Sequence, residues 1–149
     1  YAPCRRRPPM GRGAAETVAA YYDALEGGET LSSFFAEVPN TVKIGLSERL
    51  IGYADVASGL SEQTATTEDW RVESNDLSVT VDDGIAWFDD QVSLAWQDIP
   101  TDTAYSFESR WTGVLRRRDG DEWQFVTLHV SAPNEELQTA EDDLFSWDS

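Results

Sequence analysis

A carboxylate on an apolar strand face is the first candidate for chemistry in this sequence. Asp90 lies on the predicted strand Ile85 to Gln97, and five apolar residues share its face: Ala86, Phe88, Val92, Leu94 and Trp96. Burying a charge among apolar neighbours is costly unless the charge has a partner. A hairpin that pairs Gln97 with Thr103 places Arg110 opposite Asp90, close enough for an ion pair.

The only histidine of the chain, His129, lies on the last predicted strand, Trp123 to Ser131. An imidazole titrates near neutral pH and can serve as an acid or a base. If Arg118 pairs with Trp123, Thr112 faces His129 and Arg110 faces Ser131, so that these four residues and Asp90 converge on one face. A register shifted by one residue places Trp111 opposite His129 and turns the imidazole away from Arg110.

These residues predict a polar site inside an apolar, tryptophan-rich cavity. Asp90 and His129 are the candidate catalytic residues, because either could move a proton beside a carbonyl group. The candidate ligand-binding residues are Arg110, Thr112, Trp96, Tyr21, Tyr53 and Ser131. Structural roles also fit them: a buried ion pair for Asp90 and Arg110, a carbonyl partner for His129, and core positions for the tyrosines.

Three helices are predicted ahead of these strands: Ala14 to Glu26, a short helix between Thr30 and Pro39, and one that follows Gly52. The first has a buried face at helical spacing, formed by Val18, Tyr21, Tyr22 and Leu25. It ends at Gly27-Gly28, where glycine accepts a left-handed cap at little steric cost. Thr30 caps the second helix. The third repeats the buried stripe with Tyr53, Val56, Ala57 and Leu60. A short strand, Thr41 to Leu46, lies between the last two helices.

The period of the apolar residues changes to two after the third helix, which is typical of strands. Trp70 to Val81 switches parity near Asn75, so we expect a β-bulge there. The remaining strands are Ile85 to Gln97, Thr103 to Arg117 and Trp123 to Ser131, with turns at Asp82-Asp83-Gly84, near Pro100 and at Asp119-Gly120-Asp121. Helices followed by antiparallel strands make an α+β fold. A strongly bent sheet around the helices would leave a cavity at its concave face.

The charge of the chain is far from balanced. It carries 28 acidic and 11 basic residues, a net charge of -17, and Lys43 is its single lysine. The acids are scattered along the chain, which predicts an acidic, solvated surface that strains the fold by self-repulsion. We therefore hypothesise a halophilic source, with an ordinary acidic protein as the alternative. Nucleic-acid binding is disfavoured, because phosphate contacts need basic clusters.

The ends of the sequence differ from its middle. Residues 1–12 carry four arginines and no acid, and they lack the apolar segment of a secretory signal, so we interpret them as a disordered basic leader. Residues 13–133 form the predicted domain, and 134–149 an acidic tail in which Phe145 and Trp147 are available to dock. The single cysteine, Cys4, excludes an intramolecular disulfide and a cysteine-based metal site. No apolar run is long enough to span a bilayer, and a cytoplasmic location is expected.

The chain resembles the SnoaL-like branch of the nuclear transport factor 2-like superfamily. Four stretches carry the resemblance: AAETVAAYYDALEGGE, RLIGYADVASGL, RWTGVLRRRDGDEW and WQFVTLHVSAP. Together they cover nearly all of Ala14 to Pro133. Their order and spacing are more specific than any one of them.

The resemblance implies a cone-shaped α+β roll, also called cystatin-like, with three N-terminal helices on a strongly bent, mostly antiparallel sheet. It implies a pocket between the sheet and the helices, and homodimers formed through the sheet. The family's pocket arginine and last-strand histidine correspond to Arg110 and His129. Where the family often has a second histidine, this chain has Thr127.

Three functions follow from the site and the resemblance. The first is an acid–base enzyme, an isomerase, cyclase or dehydratase, acting on a small organic molecule whose oxyanion Arg110 stabilises. The second is a non-catalytic module in which Arg110 holds an anionic or carbonyl-bearing ligand. The third is a homo-oligomerisation domain with exposed apolar residues such as Trp111 or Leu115 on the sheet. No metal site and no cofactor are predicted.

The acidic composition yields a prediction about salt. Adding KCl screens repulsion between surface carboxylates, so we expect the melting temperature to rise from low to molar KCl. Thermal unfolding followed by circular dichroism measures this change. A melting temperature that stays flat or falls would refute the halophilic hypothesis.

Overall fold

The computed structural model describes residues 13–137 of the chain. The predicted basic leader, with Cys4 and its arginines, lies outside the described residues. The same holds for residues 138–149 of the predicted acidic tail, including Phe145 and Trp147. Within the described range the chain is an α+β fold of helices on a mixed seven-stranded sheet.

The helices lie in the first half of the described chain, with two short strands between them, and the five longer strands follow. Two α-helices have 14 residues each, α1 at Ala14–Gly27 and α2 at Tyr53–Thr66, and a three-residue 3-10 turn lies at Ser32–Phe34. The seven strands are β1 Val42–Ile44, β2 Arg49–Ile51, β3 Thr67–Ser74, β4 Ser78–Asp82, β5 Ile85–Asp98, β6 Thr103–Arg118 and β7 Glu122–Ser131.

The structure confirms the predicted limits of helix α1, to within one residue, and its predicted buried face. The side chains of Val18, Tyr21, Tyr22 and Leu25 are buried. Gly28 adopts the left-handed conformation, with φ 68°, and its N–H donates to the carbonyls of the last turn. A residue without a Cβ takes this conformation at little cost, which is why the helix ends there.

The predicted second helix is wrong in extent, because only the turn at Ser32–Phe34 forms, with no cap from Thr30. Phe35 is already extended, and it forms a parallel bridge with Phe125 of β7. The N–H of Ala36 donates to the carbonyl of Phe125 at 2.9 Å. Backbone pairing with the sheet therefore replaces the continuation of the helix.

Gly52 starts α2, as the sequence predicts. Its φ of 90° lies in a region of backbone conformation that residues with a side chain rarely adopt. Val56 and Leu60 are buried on the helix face that meets the core, and Tyr53 is half-buried against it. The preceding strand β2 was not predicted, because three residues show too little alternation to signal a strand.

The sheet has the strand order β2-β1-β7-β6-β5-β3, and β4 pairs with the other half of β5. All pairs are antiparallel except β1 with β7, which is parallel. One face of the sheet packs against α1 and α2 and buries alternate residues of β5. We call it the inner face, and the opposite one the outer face. The predicted strong bend of the sheet stays a prediction.

The parity switch near Asn75 marks a break between two strands and not a bulge within one. Residues 75–77 separate β3 from β4, and the N–H of Asn75 donates to the carbonyl of Gln91 at 2.8 Å. Both strands pair with β5, one with each half. The bulge of β3 lies instead between Glu68 and Arg71, where Asp69 has a φ of 58°. Among the described residues, no helix is long and apolar enough to cross a membrane.

Candidate functional site

A cavity of about 610 Å³ lies between the helices and the inner face of the sheet. Both α-helices contribute to its lining, as do the β1–β2 hairpin and the strands β3, β5, β6 and β7. Its volume is in the usual range for pockets that enclose a small organic ligand. The lining residues divide into an aromatic wall and a polar end.

The aromatic wall consists of four side chains: Trp70, Trp96, Tyr105 and Phe107. Trp96 stacks on Trp70, with ring centroids 4.6 Å apart and an interplanar angle of 14°. On its other side Trp96 stacks on Tyr105 at 5.2 Å. The register of β5 with β6 causes this contact, because Trp96 lies directly opposite Tyr105. Tyr105 and Phe107 remain 38% and 37% exposed, so the wall has free aromatic surface.

The polar end consists of Lys43 and Glu48. Lys43 is 5% exposed on β1, and its Nζ donates to Oε2 of Glu48 at 2.5 Å. Residues 45–48 form the tight loop from β1 to β2, in which the N–H of Gly45 donates to the carbonyl of Glu48. A Cβ on Gly45 would lie 2.6 Å from the carboxylate oxygens of Glu48. A glycine at this position therefore leaves room for the carboxylate.

Tyr21 forms the floor of the cavity. Its ring meets Phe35, Phe125 and Trp111 edge-on, with centroids 5.3 to 6.2 Å apart. Burial raises the pKa of the Tyr21 hydroxyl well above its usual range, and the negative charge of Glu48 raises it further. The hydroxyl therefore stays protonated near neutral pH and can donate a hydrogen bond.

Asp90 is buried, as its strand position predicted, but its partners are neutral donors. Its carboxylate accepts hydrogen bonds from the hydroxyl of Tyr22 at 2.8 Å, the hydroxyl of Ser74 at 2.6 Å and the N–H of Asp76 at 2.9 Å. Burial raises the pKa of Tyr22 far above its usual range, and the hydrogen bond to Asp90 adds to this rise. Asp90 is not among the residues that line the cavity.

The predicted pairing of Asp90 with Arg110 is wrong by one residue. Gln97 lies opposite Ala104 and not Thr103, so Asp90 faces Trp111, and Arg110 faces Gln91 on the outer face. The cause is a four-residue loop after Asp98, in which Asp102 takes a left-handed conformation with φ 51°. Because side chains alternate along a strand, a shift of one residue moves Arg110 to the opposite side of the sheet.

The predicted pairs of the next hairpin are confirmed, although their premise is wrong. Thr112 faces His129 and Arg110 faces Ser131, but Arg118 pairs with Glu122, and a bulge after Val114 restores the register. These pairs lie on the outer face, where Arg110, Thr112 and His129 are exposed. The five polar residues therefore do not converge on one site, because the sheet separates Asp90 from the other four.

Of the other predicted ligand-binding residues, Tyr21 and Trp96 line the cavity, whereas Tyr53 packs against the core without lining it. The sequence reasoning missed five residues that line the cavity: Lys43, Glu48, Trp70, Tyr105 and Phe107. A signal for Lys43 was present, since the only lysine of an acid-rich chain lies between Val42 and Ile44 in a strand. Within residues 13–137 no group of acidic, histidine or cysteine side chains is arranged to hold a metal ion.

Residues 14–135 match the family model described as the SnoaL-like domain. No curated protein matches the sequence. Among solved structures, a candidate dehydratase of the NTF2-like family from Streptomyces avermitilis is 21% identical, with a TM-score of 0.70 over 80% of this chain and 93% of that one. A nuclear transport factor 2-like superfamily protein from Salmonella enterica is 16% identical, with a TM-score of 0.71 over 80% and 87% of the two chains.

A ketosteroid isomerase-like protein from Erwinia carotovora atroseptica has a TM-score of 0.68 at 14% identity, over 80% of this chain and 93% of that one. At such identities the likeness concerns the fold. The chemistry of the cavity must be argued from its own residues.

The buried carboxylate yields a prediction about stability. Tyr22→Phe removes a hydrogen bond to a buried charged group, so we expect the free energy of unfolding to fall by about 1.5–3 kcal/mol. Urea denaturation measures the change. Tyr53→Phe is the matched control, since the Tyr53 hydroxyl forms no hydrogen bond within residues 13–137, and its effect should be small. Equal losses of unfolding free energy in the two variants would show that the hydrogen bond from Tyr22 to Asp90 does not stabilise the fold.

Proposed function

We propose that this chain, which belongs to the SnoaL-like domain family of the nuclear transport factor 2-like superfamily, binds a small organic molecule in its cavity. The observation that carries the proposal is the division of the cavity into an aromatic wall and a polar end. A flat apolar body packs favourably on the free ring surface of Tyr105 and Phe107. A polar substituent of the same molecule reaches Lys43, Glu48 and the hydroxyl of Tyr21.

We propose further that the bound molecule undergoes an acid–base reaction of the isomerase, cyclase or dehydratase type. Glu48 offers a carboxylate that can accept a proton, and Lys43 offers an ammonium group for a developing oxyanion. The relatives named as a candidate dehydratase and a ketosteroid isomerase-like protein support this reaction class by analogy only. The proton-transfer role expected of Asp90 and His129 thus passes to residues that line the cavity.

An anionic ligand loses its main support in the structure. That expectation rested on Arg110, whose side chain is exposed on the outer face and lines no part of the cavity. Lys43 does not replace it, because Glu48 already neutralises its charge. A carbonyl-bearing ligand remains compatible with the polar end, since an ammonium group and a phenol both donate hydrogen bonds.

A second candidate function, homodimer formation through the sheet, is supported by the outer face. Cross-strand neighbours form one row across five strands, made of Ile51, Val42, Thr127, Val114 and Trp87. Trp87 is 46% exposed and Ile51 is 40% exposed, so the row offers apolar surface for a second copy. Trp111 and Leu115, which the sequence suggested for such a surface, are instead buried on the inner face.

Ligand binding can be tested with 1-tetralone, a neutral, flat ketone. We expect Trp96→Leu to weaken binding about tenfold, because it removes the centre of the aromatic wall. Chemical-shift titration measures the dissociation constant. Trp87→Leu is the matched control, since Trp87 lies on the outer face, and it should bind as the wild type does. Phe107→Leu gives a second variant with less disturbance of the core. Equal binding by all four proteins would refute the proposed site.

Acid–base activity can be tested with the same ketone in deuterated water. Glu48 would accept a proton from the carbon beside the carbonyl, and the enolate would then take up a deuteron. We expect exchange that Glu48→Gln abolishes and that Glu37→Gln, a control away from the cavity, preserves. Proton NMR follows the loss of signal. If the wild type does not accelerate exchange, the chain binds without this chemistry.

The dimer can be tested by sedimentation. We expect the wild type to dimerise and Trp87→Glu to be monomeric, because a charge in the apolar row opposes burial against a second copy. Ile99→Glu is the control, since Ile99 is 48% exposed in the turn after β5 and outside the row. A wild type that remains monomeric at high protein concentration, in low and high KCl, would overturn this proposal.

A further inference from the structure

The rim of the cavity beside the aromatic wall carries negative charge. Helix α2 ends there, and Glu62 and Thr66 of its last turns line the cavity together with Asp98 at the end of β5. Glu62 is exposed and Asp98 is half-buried. The last turn of α2 carries no basic residue. The carbonyls of Gln63 and Thr66 in this turn already accept hydrogen bonds from Thr67 and Ile99, so the negative charge of the rim comes from the two carboxylates.

No positive charge on the lining balances this rim. Lys43 is the only basic residue among the described residues that line the cavity, and it is bound to Glu48 at the opposite, polar end. Oδ2 of Asp98 accepts hydrogen bonds from the N–H and the hydroxyl of Thr101, which are neutral donors. Neither Glu62 nor Asp98 forms an ion pair within residues 13–137.

We propose that the ligand of this cavity is an organic cation, an amine or ammonium compound whose charged group lies between the α2 C-terminus and the aromatic wall. This inference rests on the proposed binding function and specifies the class of ligand. The cavity defines the site, and the negative charge of its rim favours a ligand with a positive charge. Glu62 and Asp98 attract a positive charge by Coulomb forces, and aromatic rings near a cation contribute a further attraction.

The same arrangement allows the ligand to use both ends of the cavity. An ammonium group at the rim leaves the apolar body on Tyr105 and Phe107, and a second polar group extends towards Lys43 and Tyr21. A carboxylate at the rim would instead face Glu62 and Asp98, whose negative charges repel it. The structure therefore opposes the anionic ligand that the sequence suggested.

Three compounds of similar shape test the proposal: 2-phenylethylamine as the cation, 2-phenylethanol as the neutral analogue and phenylacetate as the anion. We expect the amine to bind about tenfold more tightly than phenylacetate at low ionic strength, with the alcohol between them. Added salt should narrow the difference. Chemical-shift titration measures each dissociation constant and reports whether the resonances of Trp96 and Tyr105 move.

Two double variants distinguish the effect of the rim carboxylates on ligand preference from the effect of the protein's net charge. Glu62→Gln with Asp98→Asn should reduce the preference for the amine to about threefold or less. Glu73→Gln with Asp89→Asn removes the same charge from exposed positions elsewhere on the sheet, and it should leave the preference unchanged. The amide oxygen introduced by Asp98→Asn can still accept hydrogen bonds from Thr101, so the turn is retained.

Two results would overturn the proposal. Equal loss of preference in both variant pairs would assign it to the net charge and not to the rim. Binding of the alcohol or phenylacetate as tightly as the amine would exclude a cation-selective rim. In either case, 1-tetralone binding that depends on Trp96 would leave the proposed binding function intact, whereas its absence would count against that function separately.

Discussion

The buried carboxylate of Asp90 is the interaction on which the arrangement of the inner face depends. It accepts hydrogen bonds from three separate segments: from Tyr22 of α1, from Ser74 at the end of β3, and from the backbone N–H of Asp76 in the break before β4. A charge in an apolar interior is tolerated only when such donors surround it. The same contacts fix the rotation of α1 on the sheet. Tyr21, the neighbour of Tyr22, is thereby directed to the floor of the cavity.

The two α-helices and the limits of the three longest strands, β5, β6 and β7, followed from the sequence, because their signals are local. The spacing from Val18 to Leu25 specifies one helix face, and alternation along β5 specifies one strand face. The site did not follow, because its composition depends on strand register. One loop residue decided whether Arg110 meets Asp90 or points to the outer face. Such a slip leaves the pattern of each strand unchanged, so no single strand reveals it.

Lys43 illustrates a signal that was visible but not used. A lysine between Val42 and Ile44 in a short strand has to be exposed or paired, and the structure pairs it with Glu48. That partner lies only five residues along the chain, across a tight loop. The pair is therefore a local structure, in which the rest of the fold buries Lys43 and leaves Glu48 partly exposed. Trp70 was harder to assign, since its stacking on Trp96 depends on the bulge in β3.

The parallel pairing of β1 with β7 has a consequence for the order of folding. It joins Val42, near the beginning of the described chain, to Thr127, near its end. Contacts so distant in sequence cost loop-closure entropy before they contribute stability. The β1–β2 hairpin, which carries Lys43, can therefore pair with β7 only after the chain has been synthesised as far as β7. On a ribosome, the cavity would be completed as the final strand emerges, and a chain that lacks this strand would leave the cavity open on the side of β1 and β7.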